Sequence, residues 1–206
     1  MKKILFILLI AVFSFFGIKT GLSVSHQPVV QDRIAENNVD ENQIDVPPVV
    51  QEKKIEAGMP KRLAIPKIKI DTAVEAAGLD EQKKPILPDD PDNVVWYSLG
   101  TRPGNKGSAV ISGHFDKVNG SPAVFWDLKK LDAGDEISVT DADGNEFSYS
   151  VIKKVEYEFD KVPLQEIYAA TSDKSLLNLI TCSGTWNNKT KLYSTRTVVY
   201  AEAREK

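Results

Sequence analysis

The chain has 206 residues, 42% of them apolar and 27% charged, with a formal net charge of −3. That is the composition of an ordinary globular domain with attachments, and its slight acidity excludes a protein that grips nucleic-acid phosphates with a basic face. There is no internal repeat, no glycine-rich nucleotide loop and no CxxC pair, and one cysteine cannot close an intramolecular disulfide.

Met1-Lys2-Lys3 precedes Ile4 to Ile18, fifteen residues without a charge, which Lys19 closes. As a helix rising about 1.5 Å per residue this core spans about 22 Å, short of a hydrocarbon layer of about 30 Å. Snorkelling by Lys2, Lys3 and Lys19, or helical continuation through Leu22 and Val24, covers the deficit. A cleaved signal peptide ending at Ser23-Val24-Ser25 is the other reading, and both export the remainder of the chain. From Lys19 to Pro60 there is no aromatic residue. Such a segment buries too little apolar surface to offset its ordering entropy, so it reads as a disordered tether. Forty residues of random coil reach roughly 30 to 40 Å. His26 lies in this tether without a fixed partner, which leaves His114 as the histidine available for chemistry.

The chain thus divides into an apolar segment 1–24, a linker 25–60 and a folded domain 61–206, which holds every Trp and every Tyr. Leu63, Ile65, Ile68 and Ile70 alternate around Pro66 as in a bent edge strand, and Ala73 to Ala77 is its predicted pairing partner. Gly78 to Leu99, rich in Pro and Asp, reads as mostly loop. Asp89-Asp90-Pro91-Asp92 within it is a solvated acidic turn rather than a metal site, since no histidine is near. Ser108 to Gly113 is an apolar strand that delivers His114 at its end. Phe115 to Gly120 is a loop, and Pro122 to Leu131 a short helix with Pro near its start. Strand Glu136 to Thr140 comes next. In Asp141 to Glu146 the glycine is fourth rather than sixth and position twelve is Ile152, so an EF-hand is excluded and Asp143-Gly144 is a hairpin turn. Phe147, Tyr149 and Val151 alternate with Ser148 and Ser150 as in a half-buried strand.

After a short helix within Val162 to Ala170, the run Leu176 to Ile180 reads as a buried strand that ends on Thr181-Cys182-Ser183-Gly184. A free cysteine packs like a small hydrophobe, so a plain core role is one reading. Its flanking hydroxyls, and a glycine turn that exposes the thiol, point to a nucleophile instead. A thiolate needs a base or imidazolium partner, and a cation stabilises the oxyanion that its attack on a carbonyl creates. His114 and Arg196, each at a predicted strand end, supply both. Trp186, on the polar loop predicted between Cys182 and Arg196, either caps the core edge or lines a substrate groove beside the thiol; its polar setting favours the groove. About eight strands and two short helices predict a mostly-β, closed or nearly closed barrel.

These residues carry a family resemblance. Leu179-Ile180-Thr181-Cys182, Gly113-His114 and Arg196-Thr197-Val198-Val199-Tyr200-Ala201 resemble the cysteine, histidine and arginine strands of sortases, the cysteine transpeptidases of Gram-positive bacteria. Trp96-Tyr97, Arg102-Pro103-Gly104, Ala109 to Asp116, Ala123-Val124-Phe125-Trp126 and Leu131-x-x-Gly134-Asp135 are most similar to the class F branch, with classes D and E as alternatives. The likeness extends from about Leu63 to Ala203. It implies an eight-stranded sortase barrel, an uncleaved N-terminal membrane anchor with its lysines inside, and an extracellular catalytic domain. It also implies catalysis by His114, Cys182 and Arg196, with Thr181 and Trp186 as candidate substrate-binding residues and no metal or organic cofactor. Its expected partners are exported proteins with a Leu-Pro-x-Thr-Gly-like C-terminal sorting signal and an acceptor amine, usually of a peptidoglycan precursor. An L,D-transpeptidase acting on peptidoglycan is one alternative, although its cysteine sits in a His-Gly-Cys setting that Thr181-Cys182-Ser183 does not match. A catalytically silent binding barrel is another.

Overall fold

The computed structural model describes residues 56–81, 85–169 and 172–204. The segment 1–24 and linker residues 25–55, His26 included, lie outside the described residues. Eight strands close into a barrel: β1 (Pro60–Ile65), β2 (Ile70–Ala77), β3 (Val94–Tyr97), β4 (Gly107–Gly113), β5 (Glu136–Asp141), β6 (Glu146–Glu158), β7 (Ser175–Asn187) and β8 (Leu192–Ala203). Their order around the barrel is β1-β2-β3-β4-β7-β8-β6-β5. Closure leaves no free sheet edge, and it brings β4, β7 and β8 side by side although β4 and β7 are far apart in sequence.

Inward residues alternate as a half-buried strand requires. Ala109 and Ile111 of β4, Leu177 and Leu179 of β7, and Val199 and Ala201 of β8 all enter one core with Leu63, Ile137, Val139 and Phe125. Burying each of the Val, Leu, Ile and Phe side chains among them contributes on the order of 1.5 to 3 kcal/mol. Tyr149 is fully buried in the same core, and its hydroxyl is satisfied by the Gly104 N–H at 2.6 Å and by Ser175 Oγ at 3.2 Å. The outer face of β4, β7 and β8 is covered as well. Val110, Val198 and Tyr200 pack there with Ile167 and Ile180. Ile167 belongs to α1 (Leu164–Ile167), which Asn178 on β7 pins by donating Nδ2 to the Ile167 carbonyl at 2.7 Å.

The structure corrects several local expectations. β2 is longer than read: Ile70 to Ala73 pairs with β1, while Val74 to Ala77 runs parallel to β3. That third strand lies inside the stretch expected to be loop, because a four-residue apolar run between Pro- and Asp-rich turns suffices for a short buried strand. Pro122 to Leu131 forms successive tight turns with one 3-10 helix, Leu128–Lys130, instead of a regular helix. Packing also begins ahead of residue 61: Ala57 is buried, and the Gly58 N–H donates to Asp141 Oδ2 at 2.8 Å. The same carboxylate accepts the Asp143 and Asn145 N–H groups, so the acidic run is a hydrogen-bonded hairpin turn.

The largest correction concerns the cysteine strand. β7 does not end at Cys182 but continues to Asn187, and β8 begins at Leu192, four positions before Arg196. Gly184, at φ 81°, forms a bulge there, and the register with β8 shifts between Ser183 and Trp186. A side chain at this position would collide with Ser194 Oγ and Thr195 Oγ1, so only glycine fits. The hairpin then closes on Asn187, whose side chain accepts the Lys189 and Thr190 N–H groups.

Candidate active site

Strand register builds the site. β4 and β7 are parallel, with Val110 opposite Asn178, Ile111 opposite Leu179 and Ser112 opposite Ile180. Continuing that register two residues past the last pair aligns His114 with Cys182. β7 and β8 are antiparallel, with Cys182 directly opposite Arg196, and Arg196 in turn opposite Tyr157 of β6. Because side chains alternate, His114, Cys182 and Arg196 share the outer face with Val110, Ile180 and Val198. Neighbouring strands lie about 4.8 Å apart, so at this level β4, β7 and β8 span about 10 Å with β7 in the middle.

Hydrogen bonds hold these residues in place. Thr181, on the inward face and 4% exposed, donates its hydroxyl to the Gly113 carbonyl at 2.9 Å. It thereby ties the residue before Cys182 to the residue before His114, and its hydroxyl proton is committed to the barrel. Thr181→Val is expected to cost about 1 to 3 kcal/mol, because a buried carbonyl loses its partner; a thermal melt compared with that of the parent chain checks this. Arg196 donates Nη1 to the carbonyls of Tyr193 at 3.2 Å and Thr195 at 2.8 Å. Among the described residues no carboxylate pairs with it, whereas Arg62 and Arg204 are paired with Asp71 and Glu136. His114 contacts the Pro88 carbonyl through Nε2 at 3.0 Å. No hydrogen bond links it to Cys182 among the described residues.

A free thiol, an imidazole and an uncompensated guanidinium carried by adjacent strands are groups that acyl transfer through a thioester can use. The family model for sortase domains matches residues 63–204. The chain belongs to the sortase family. Among solved structures it is similar to a lid mutant of sortase A from Corynebacterium diphtheriae, with a TM-score of 0.55 and 21% identity over 75% of this chain and 75% of that one. Sortase C from Clostridium perfringens SM101 aligns with a TM-score of 0.51 and 20% identity over 74% of this chain and 73% of that one. A sortase D5 transpeptidase of Clostridium perfringens gives 0.53 and 20% over 73% and 82%. At such identities the likeness establishes the barrel. The search among curated proteins found no match.

In this sortase domain the thiol is half-buried. Burial pushes the Cys182 pKa above its ordinary value; Arg196 opposes that rise by attraction to the thiolate, and Asp116 adds to it by repulsion. Alkylation of the native protein should therefore reach half its maximal rate at a higher pH than alkylation of an unfolded chain. Asp116→Asn should move that midpoint down and Arg196→Met should move it up. Rates of reaction with iodoacetamide across pH measure all three, and a midpoint that ignores both substitutions would remove these charges from the account.

Sequence reasoning missed Tyr193 and the pairing role of Asp116. Tyr193, placed by sequence in a polar loop, lies on β8 and donates its hydroxyl to Asp116 Oδ2. Burial and this carboxylate push its pKa up to about 12, so the phenol stays protonated. The available signal was the Leu192-Tyr193 pair, a strand start ahead of Ser194. Four aromatic rings form a continuous row: Trp126 stacks on Phe115 at 4.4 Å, Phe115 meets Tyr193 at 5.4 Å, and Tyr193 meets Trp186 at 5.1 Å. Trp186 is 43% exposed and so does not cap the core. With Tyr193, Asp116, Lys117 and Val118 it lines an open groove of about 550 Å³.

Proposed function

We propose that this sortase is an extracellular enzyme, anchored in the membrane by residues 1–24. It would cleave a Leu-Pro-x-Thr-Gly-like C-terminal signal between Thr and Gly and join the protein to a cell-wall amine. The observation that carries the reading is the row of His114, Cys182 and Arg196 on one face of adjacent strands. The Cys182 thiolate attacks the Thr carbonyl carbon, and Arg196 receives the oxyanion through N–H groups that the Tyr193 and Thr195 carbonyls leave free. The C–N bond breaks as His114 protonates the departing Gly amine, leaving a thioester on Cys182. An acceptor amine then attacks that thioester, gives up a proton to His114 and expels the thiolate. Trp186 and Tyr193 supply aromatic surface for substrate beside the thiol. The motif resemblance supports class F within the family.

Incubated with a Leu-Pro-x-Thr-Gly peptide, the full-length chain in detergent should carry an acyl mass on Cys182. Hydroxylamine should release the fragment ending in Thr as its hydroxamate. An adduct formed with a peptidoglycan stem peptide and with no sorting-type peptide would replace this reading by the L,D-transpeptidase one. Adduct with neither would favour a silent binding barrel.

A further inference from the structure

The loop between β2 and β3 carries a contact that the proposed reaction does not use. Within it Ile86, Leu87, Asp89 and Asp90 are exposed while Pro88 is buried, and the Pro88 carbonyl lies 3.0 Å from His114 Nε2. A carbonyl oxygen only accepts, so this bond exists only when Nε2 carries a proton. The ring nitrogen left for proton exchange is then Nδ1.

Both partners are held from either side. The Ile86 N–H donates to the Gly78 carbonyl at 3.1 Å, and the Asn93 N–H donates to the Asp90 carbonyl at 3.0 Å. The Val124 N–H donates to the Pro91 carbonyl at 3.1 Å, and Lys117 pairs with Asp92 at 2.6 Å. On the histidine side, the Phe125 N–H donates to the His114 carbonyl at 2.9 Å. Proline fixes its own φ near −65°, which leaves ψ alone to aim its carbonyl. The loop is therefore built to present one acceptor to one imidazole.

We propose that the Pro88 carbonyl is a positioning group for His114, holding the Nε2–H tautomer and ring orientation so that Nδ1 exchanges protons with the leaving and entering amines. A carboxylate performs this duty in a serine-histidine-aspartate triad, and here main chain replaces it. Proton exchange at Nδ1 rests on the transpeptidase reading, whereas the tautomer stands apart from it.

Long-range proton–nitrogen correlation spectra of the 15N-labelled full-length chain in detergent test it, with His26→Gln used to assign the two histidines. Neutral His114 should show Nδ1 at the shift of an unprotonated nitrogen, and an Nε2–H proton that exchanges slowly and contacts Pro88. In Pro88→Gly that proton should exchange freely, the two nitrogen shifts should average, and turnover of a sorting peptide should fall about tenfold. A native His114 protonated on Nδ1, or with a freely exchanging Nε2–H, overturns the proposal. So does a Pro88→Gly chain whose turnover falls while its tautomer is unaltered, or in which neither changes. If Pro88→Gly fails to fold, the native spectrum alone decides. Absence of turnover with every sorting peptide, beside the expected native spectrum, would count against the substrate reading and leave the positioning contact standing.

Discussion

Cys182→Ala is expected to abolish the acyl adduct and to lower peptide turnover by a factor on the order of 10⁴ or more, as removal of a nucleophile does in a hydrolase that works through an acyl intermediate. No neighbour can take its place. Thr181 faces the barrel interior with its hydroxyl donated to Gly113, and Ser183, also buried, shares a hydrogen bond with Thr195 Oγ1 at 2.9 Å. The substitution removes one half-buried sulfur from an outward position, so the barrel core is untouched and the melting temperature should stay close to that of the parent. Intact-mass measurement, peptide cleavage and a thermal melt on the same sample make the comparison. Residual adduct at any other residue would show that the row has been assigned the wrong centre.

Arg196→Lys should lower turnover by about 10²- to 10³-fold while leaving the fold and the Cys182 alkylation profile near normal. The substitution separates charge from geometry. Lysine keeps the positive charge that opposes the rise in the Cys182 pKa, so the thiolate population changes little. It has one nitrogen where Arg196 has a planar fork, of which Nη1 is already spent on the Tyr193 and Thr195 carbonyls. A lysine cannot hold those carbonyls and also meet an oxyanion, and loss of one preorganised donor costs about 3 to 4 kcal/mol in the transition state. Turnover near that of the parent would reduce the arginine to a point charge.

Much of this site was legible in the sequence because its chemistry sits on apolar runs. Ser108 to Gly113 and Leu176 to Ile180 read as apolar strands, and the residues next to them were expected at strand ends of one sheet, while their common level came only from the register. Contacts set by the closed barrel were not on display in the same way. The bulge at Gly184 made β7 look finished at the cysteine, although the glycine only shifts its register against β8. That error turned Trp186 and Tyr193 into loop residues and hid the aromatic row. Thr181 looked like a flank of the thiol, but strand alternation sends it to the opposite face. The Pro88 carbonyl was invisible for a simpler reason: a main-chain acceptor has no residue identity, and only the path of the β2–β3 loop brings it to His114.

The bulge at Gly184 also divides the hairpin into two independently adjustable parts. On one side of it, the pairing of Cys182 with Arg196 is continuous with the barrel ladder and cannot slip without displacing the core. On the other, Trp186 pairs with Tyr193 in a new register, and the tip from Asn188 to Lys191 has no partner strand to satisfy. Lengthening, shortening or recolouring that tip therefore reshapes the aromatic wall while the reacting row keeps its spacing. In this architecture the Cys182–Arg196 pair and the Trp186–Tyr193 pair are separable parts of one β-ribbon, with a single glycine as the joint between them.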